Sequence, residues 1–99
     1  MKKQINKLVR DNIPSLCKNP VTKILDDADY AAALKQKLNE EVGEYLQDNT
    51  IEELADIIEV IEALAETQGS SLKEVMDLKQ RKQSKNGAFH DRVYLISVD

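Results

Sequence analysis

Several residue types are scarce in this sequence of 99 residues. It contains one cysteine, three glycines, two prolines and no tryptophan, and only 4% of its residues are aromatic. The single cysteine, Cys17, excludes an intrachain disulfide and with it a disulfide-stapled secreted scaffold. No hydrophobic run approaches the roughly 18 residues of a membrane-spanning helix, and none opens the chain as a signal peptide would. We therefore expect a cytoplasmic protein that does not associate with membranes.

The length predicts one domain, residues 1–99. A domain this small buries only about two thirds of the surface of its unfolded chain. A second copy of the chain would cover more of that surface. We therefore expect a homo-oligomer, a dimer or higher.

Acidic residues are concentrated in the middle of the chain. Residues 26–66 contain 13 acidic side chains and two lysines, whereas the two flanks together contain 12 basic and five acidic residues. An acidic centre repels phosphodiester backbones, so we expect no nucleic-acid partner. The same centre attracts a hard cation, and the basic flanks are suited to hold phosphate groups.

Apolar residues at helical spacing predict two consecutive helices in this acidic centre. The first runs from about residue 29 to Gln47, with Asp26 or Asp27 as its N-cap. A tight break at residues 48–49 follows, and Thr50 then caps a second helix that ends before Gly69. A short connection makes the two helices antiparallel neighbours.

The rest of the chain predicts one more helix and two short extended segments. Ser71 and Glu74 form a capping-box pattern for a third helix that runs toward Gly87. Residues 21–24 favour a short strand, and residues 93–98, rich in β-branched side chains, favour a closing strand. The expected fold class is mainly α, a helical bundle with short extended segments at both ends.

Four carboxylates fall on the apolar faces of the first two helices. At about 100° per residue, Glu41 lies in the middle of the apolar face of the first helix and Glu44 at its edge. Glu53 lies inside the apolar arc of the second helix and Asp56 at its border. The remaining acids of the second helix point away and read as a solvated face: Glu52, Glu59, Glu62 and Glu66.

A core-facing carboxylate needs compensation, because an unpaired buried charge costs several kcal/mol. Glu41 and Glu44 are spaced i, i+3, as are Glu53 and Asp56, so antiparallel packing brings the two pairs face to face. Four oxygen ligands without histidine or cysteine suit Mg²⁺ or Mn²⁺ better than Zn²⁺. The pattern predicts a magnesium site.

Simpler interpretations of the same residues stay open. Glu53 follows Thr50 by three residues and fits a capping box. Glu44 has Lys37 within reach as an ion-pair partner, and Glu40 points toward solvent. Gly43 marks either a close helix contact or room for a ligand.

The sequence Glu40-Glu41-Val42-Gly43-Glu44, followed by Glu53-Leu54-Ala55-Asp56, resembles the signature of the all-α nucleoside triphosphate pyrophosphohydrolases. This superfamily includes the MazG and phosphoribosyl-ATP pyrophosphohydrolase-like enzymes. The segment 7–14 (KLVRDNIP), the stretch 24–27 and the segment 82–89 are similar to a short MazG-like branch, so the resemblance covers nearly the whole chain.

The resemblance implies a Mg²⁺-dependent enzyme that cleaves between the α and β phosphates of a nucleotide and releases pyrophosphate and a nucleoside monophosphate. Non-standard nucleotides and phosphoribosyl-ATP are its candidate substrates, and Mn²⁺ is a candidate substitute for Mg²⁺. Glu40 and Glu41 are the implied catalytic residues. The implied metal ligands are Glu41, Glu44, Glu53 and Asp56. The candidate phosphate contacts are Lys7, Arg10, Lys82 and Lys85.

Two other functions stay open. The chain has Gly87-Ala88 where this branch often has two glycines, which favours a nucleotide- or metal-binding module without turnover. The second helix is apolar over about half its circumference, which favours either pairing between subunits or a helical interaction protein.

Overall fold

Three α-helices begin and end close to the predicted positions. In a computed structural model that describes residues 3–99, α1 spans Asp27–Asp48, α2 spans Ile51–Thr67 and α3 spans Leu72–Asn86. The mainly α class is confirmed, since residues 3–99 contain these helices and no β-strand. Residues 1 and 2 of the predicted domain lie outside the described residues. Within the described chain, no helix combines the length and apolarity needed to cross a bilayer.

Each helix begins at a side chain that accepts a hydrogen bond from an amide of its first turn. The three bonds are Asp29 N to Asp26 Oδ1 (2.8 Å), Glu53 N to Thr50 Oγ1 (3.4 Å) and Glu74 N to Ser71 Oγ (3.1 Å). First-turn amides have no partner inside their own helix, so these caps fix where each helix starts. All three caps were predicted, with Asp26 rather than Asp27 acting in the first.

α1 and α2 form a helical hairpin. Asn49 adopts the left-handed conformation (φ 57°), and its N–H donates to the carbonyl of Tyr45 at 2.8 Å, which ends α1. A connection of only two residues, 49–50, returns the chain, so the helices pack as antiparallel neighbours. Leu34 of α1 and Val60 and Ala65 of α2 are the buried apolar residues of the described chain, and all three belong to this hairpin.

α3 packs on the end of the hairpin. Its first two turns place Val75 and Leu78 beside Ile61 and Leu64 of α2, where the four side chains line a shallow groove. No residue of α3 is buried. The helix ends at Gly87, whose positive φ of 88° suits glycine, as predicted.

The two predicted strands are not formed. Val21 and Ile24 are 80% and 97% exposed, and the residues of 93–98 are also exposed. A strand is stable only when a neighbouring strand satisfies its amide and carbonyl groups, and no segment of residues 3–99 pairs with either stretch. The only other helical turn described is a 3-10 turn at Pro14–Leu16.

A large surface stays in contact with solvent. The accessible area is 9180 Å², whereas a folded monomer of this length exposes about 5,700 Å². The radius of gyration is 17.7 Å, against about 13 Å for a compact domain of this size. Large apolar side chains of the terminal segments contribute to the excess, among them Ile24, Phe89 and Ile96, each at least 90% exposed.

Candidate metal centre

The hairpin brings three of the four predicted metal ligands together. Glu41 comes from the middle of α1, and Glu53 and Asp56 come from the first two turns of α2. One carboxylate oxygen of each lies within 4.8 Å of the others. We call these three residues the carboxylate cluster. Their meeting follows from the i, i+3 spacing on α2 and the antiparallel packing of α1.

Two oxygens of the carboxylate cluster are buried without a hydrogen bond. Glu41 is 6% exposed, and its Oε2 has no partner; Oε2 of Glu53 is in the same situation. A buried polar atom without a partner costs about 1–3 kcal/mol, and more when it carries charge. A cation with a preference for oxygen ligands would supply the missing interaction. The cluster fits Mg²⁺ or Mn²⁺, because it offers carboxylate oxygens and neither nitrogen nor sulfur.

The pKa of Glu41 also shows that this buried carboxylate lacks sufficient positive charge around it. Burial raises the pKa of Glu41 above its ordinary value, and the neighbouring Glu44 carboxylate raises it further. The Lys37 ammonium, 3.4 Å from Glu41 Oε1, opposes the shift. Glu41 therefore carries its charge at a cost that a nearby cation would reduce.

Glu44 lies beside the carboxylate cluster and not within it. Its half-buried side chain affects the pKa of Glu41, but it does not join the group of oxygens that meet within 4.8 Å. It makes no ion pair with Lys37, which instead contacts Glu40 at 3.5 Å and Glu41 at 3.4 Å. The simpler interpretation of Glu44 as the ion-pair partner of Lys37 is therefore wrong, since the lysine pairs with the acids three and four residues ahead.

Glu53 does not complete a capping box. Its backbone amide donates to Thr50, but its carboxylate makes no hydrogen bond to the cap within the described chain, and Oε2 has no partner at all. The capping interpretation thus accounts for the amide of Glu53 and leaves its side chain unexplained.

Glu40 is less exposed to solvent than helical periodicity predicted. It is half-buried rather than solvated, and it accepts from Lys7 Nζ at 3.1 Å while Lys37 Nζ lies 3.5 Å away. The hydrogen bond from Lys7 holds the pKa of Glu40 below its ordinary value. A carboxylate held ionised in this way is a weak proton acceptor near neutral pH, so its contacts favour a positioning role over that of a general base.

The four predicted phosphate contacts divide into two pairs. Lys7 and Arg10 lie against the hairpin: Lys7 contacts Glu40, and Arg10 contacts Asp56 at 2.7 Å and Glu59 at 3.3 Å. Lys82 and Lys85 are exposed on α3, and neither makes an ion pair with any residue of the described chain.

Two residues at the site were missed as functional candidates. Lys37 is recognisable in retrospect, because its i, i+3 and i, i+4 spacing to Glu40 and Glu41 is typical of helical ion pairs. Glu59 was assigned to the solvated face, and it is exposed, but it accepts from Arg10. No local pattern links Arg10 with Glu59, because the two residues are 49 positions apart.

Comparisons of the chain with models of known protein families, with curated proteins and with solved structures find no match. The likeness to the MazG-like pyrophosphohydrolases therefore stays a prediction that rests on the sequence motifs.

Proposed function

We propose that this protein is a Mg²⁺-dependent nucleoside triphosphate pyrophosphohydrolase of the MazG-like type. The observation that carries the proposal is the carboxylate cluster, with buried, unpartnered oxygens on Glu41 and Glu53. The acidic motifs that suggested the enzyme class supply these residues, and their packing in the hairpin is what the proposed activity needs.

Each part of the site has a role in this proposal. Glu41, Glu53 and Asp56 would hold the cation, with Glu44 beside them as a further oxygen donor. When bound, Mg²⁺ supplies charge neutralisation for phosphate oxygens and lowers the pKa of a coordinated water. Lys37 fixes the orientation of Glu40 and Glu41 through its two ion pairs. Lys82 and Lys85 have no acidic partner of their own in residues 3–99, and in this proposal they contact the phosphates of the substrate.

The substrate in this proposal is a nucleotide, either a non-standard nucleoside triphosphate or phosphoribosyl-ATP. Cleavage would separate the α and β phosphates by attack of water, with a nucleoside monophosphate and pyrophosphate as products. The free, exposed thiol of Cys17 fits a reducing compartment, so we place the activity in the cytoplasm.

We further propose that the protein acts as a homo-oligomer. The accessible area exceeds that of a typical monomer of this length by about 3,500 Å². Obligate dimers bury about 1,000–2,500 Å² on each partner, so one symmetric interface accounts for about 30–70% of the excess.

The test is pyrophosphate release from a panel of standard and modified nucleoside triphosphates and phosphoribosyl-ATP. Each substrate is assayed with Mg²⁺, with Mn²⁺ and with chelator. Glu53→Gln is compared with Glu66→Gln, which makes the same change on an exposed position of α2. We expect metal-dependent release that Glu53→Gln abolishes and Glu66→Gln preserves.

A non-catalytic binding module is the second candidate, favoured by the same buried oxygens. It predicts that Mg²⁺ or nucleotide raises the melting temperature while no substrate of the panel is cleaved. If no substrate is cleaved and neither ligand changes the melting temperature, both proposals are contradicted, and the exposed apolar surface favours a helical interaction protein instead.

A further inference from the structure

Four residues near the N-terminus connect the two helices of the hairpin. Lys7 contacts Glu40 of α1 at 3.1 Å, and Arg10 contacts Asp56 of α2 at 2.7 Å. Between them, Leu8 and Val9 are half-buried, whereas most residues of the segment 3–25 are exposed. We call residues 7–10 the N-terminal strap. Its two cations anchor it to one acid on each helix, Glu40 of α1 and Asp56 of α2.

Asp56 belongs to two arrangements at once. It is a member of the carboxylate cluster, and it accepts the shortest ion-pair contact in residues 3–99, from Arg10 Nη2. The other amine of the guanidinium, Nη1, lies 3.3 Å from Glu59, one turn further along α2. Arg10 therefore already supplies part of the positive charge that the cluster requires.

A guanidinium and a divalent cation at the same carboxylate oppose each other. Two like charges a few ångströms apart repel strongly in a partly buried site, and Lys37 on Glu41 adds a third positive charge. Arg10 has an alternative partner in Glu59, which is exposed and outside the cluster, so the guanidinium can leave Asp56 without losing every acidic contact. Within residues 3–99, the divalent cation has no other group of three such oxygens that meet within 4.8 Å.

We propose that Arg10 is the resident counter-cation of the carboxylate cluster, and that a divalent cation displaces its guanidinium from Asp56 and thereby loosens the N-terminal strap. This inference rests on the cation site of the proposed function. Because linkage is reciprocal, whatever weakens the Arg10 contact strengthens cation binding, and cation binding weakens the hold on the strap. The N-terminal strap is therefore held tightly when the carboxylate cluster is empty and loosely when a divalent cation is bound.

The first test is the affinity for Mn²⁺, measured by titration calorimetry on the full chain. Arg10→Gln removes the guanidinium charge, and Lys35→Gln is the matched control. Lys35 lies in the same acidic region on α1, is exposed and makes no ion pair with residues 3–99. We expect Arg10→Gln to lower the Kd for Mn²⁺ about fivefold or more, which is the usual range of site-to-site coupling, and Lys35→Gln to change it much less.

The outcomes separate this inference from the proposed function. A Kd for Arg10→Gln that equals or exceeds that of the unmodified chain overturns the inference and leaves the cation site intact. A higher Kd assigns Arg10 to holding Asp56 in place for the cation. Absence of Mn²⁺ binding in both the unmodified chain and Arg10→Gln overturns the inference and the proposed function together. An equal decrease of the Kd in Lys35→Gln overturns the inference in favour of a general effect of net charge.

The second test follows the strap itself by limited digestion with trypsin and mass spectrometry. Cleavage of the peptide bond after Lys7 is timed with and without Mn²⁺, with the bond after Lys82 of α3 as an internal reference. We expect Mn²⁺ to accelerate cleavage after Lys7 in the unmodified chain, whereas Arg10→Gln is cleaved fast under both conditions. Unchanged or slower cleavage on addition of Mn²⁺ to the unmodified chain overturns the inference.

Discussion

The hairpin of α1 and α2 and the C-terminal part of the chain, residues 72–99, use their side chains in opposite ways. Every buried residue of the described chain lies in the hairpin, and one of them is the carboxylate of Glu41. Residues 72–99 contain no buried residue, although they include apolar side chains such as Phe89, Tyr94 and Ile96. The hairpin thus encloses charge while the C-terminal part exposes hydrocarbon.

The difference indicates that each region lacks a different partner. A buried carboxylate without a hydrogen bond is stabilised by a cation, and an exposed apolar segment is stabilised by burial against another surface. Within residues 3–99, Lys37 and Arg10 meet the first requirement only in part, and the second is not met. The first is met by Mg²⁺ in our proposal, and the second by another copy of the chain.

The largest expected effect concerns the C-terminal segment. Ile96→Asp places a charge on an apolar side chain that is 90% exposed in the single chain. If a second copy covers this residue, the buried charge disrupts the interface, and light scattering coupled to size exclusion shows a shift from oligomer to monomer. Ser97→Asp adds the same charge at the adjacent position and is expected to preserve the oligomer. An unmodified chain that is monomeric at micromolar concentration would contradict the proposal that a second copy covers the C-terminal segment.

The second effect concerns the carboxylate cluster. With Mg²⁺ at about 100 times its Kd, binding to the native state adds about 2.7 kcal/mol to the free energy of unfolding. For a chain of this length, that stabilisation raises the melting temperature by about 10–20 °C. We expect Glu53→Gln to lose this increase and Glu66→Gln to keep it, as measured by thermal denaturation followed by circular dichroism. An equal increase in both variants would show that Mg²⁺ binds elsewhere.

The third effect concerns the pH dependence of the metal-free protein. The pKa of Glu41 is raised in the folded state by burial, so the folded state binds the proton more tightly than the unfolded state. The resulting stability is fully present below the ordinary glutamate pKa of 4.5 and is lost as pH rises through the higher folded value. Glu41→Gln has no titratable carboxyl group at this position, so its free energy of unfolding does not show this decrease.

We therefore expect Glu41→Gln to be more stable than the unmodified chain in chelator at pH 7, with a smaller difference at pH 4. Urea denaturation at the two pH values measures it. Glu52→Gln, on the exposed face of α2, serves as the control. A difference that is constant between pH 4 and pH 7 would argue against burial of the charge.

The smallest expected effect concerns Gly43 in α1 of the hairpin. A Cβ added at Gly43 would meet no atom of residues 3–99 within 4 Å, apart from the neighbouring backbone of its own helix, which excludes a close contact with another helix of the described chain. Gly43→Ala is therefore expected to raise the free energy of unfolding of the isolated subunit by about 0.5–1 kcal/mol, because alanine favours the helix interior. Gly87→Ala, at a positive φ of 88°, is expected to lower it. If Gly43→Ala instead weakens nucleotide binding or assembly, the open space beside Gly43 is occupied by ligand or by a second copy.

Much of the helical architecture was predictable because it depends on contacts between residues close in sequence. The caps at Asp26, Thr50 and Ser71 act on amides three residues ahead, and Asn49 closes α1 through a bond to a carbonyl four residues back. Such patterns can be read in the sequence, since the chain itself holds the partners at a set distance.

The candidate site was predictable in part. Helical periodicity placed Glu41, Glu53 and Asp56 on facing surfaces, and they meet. It also placed Glu44 among the ligands, but Glu44 lies outside the cluster. A residue at the edge of a helical face lies farther from the facing helix than one in the middle of that face. The two predicted strands failed for the opposite reason, because strand formation depends on a distant partner that residues 3–99 do not provide.

The sequence by itself determined the helices, their caps and the acidic character of the hairpin, because those features arise from interactions within a few residues. Only the tertiary structure decided that Arg10 contacts Asp56 from 46 positions away, and that two carboxylate oxygens are buried without a partner. These features depend on how the N-terminal strap and the hairpin pack in space. Burial and long-range charge pairing are properties of that packing, and neither has a local signature in the chain.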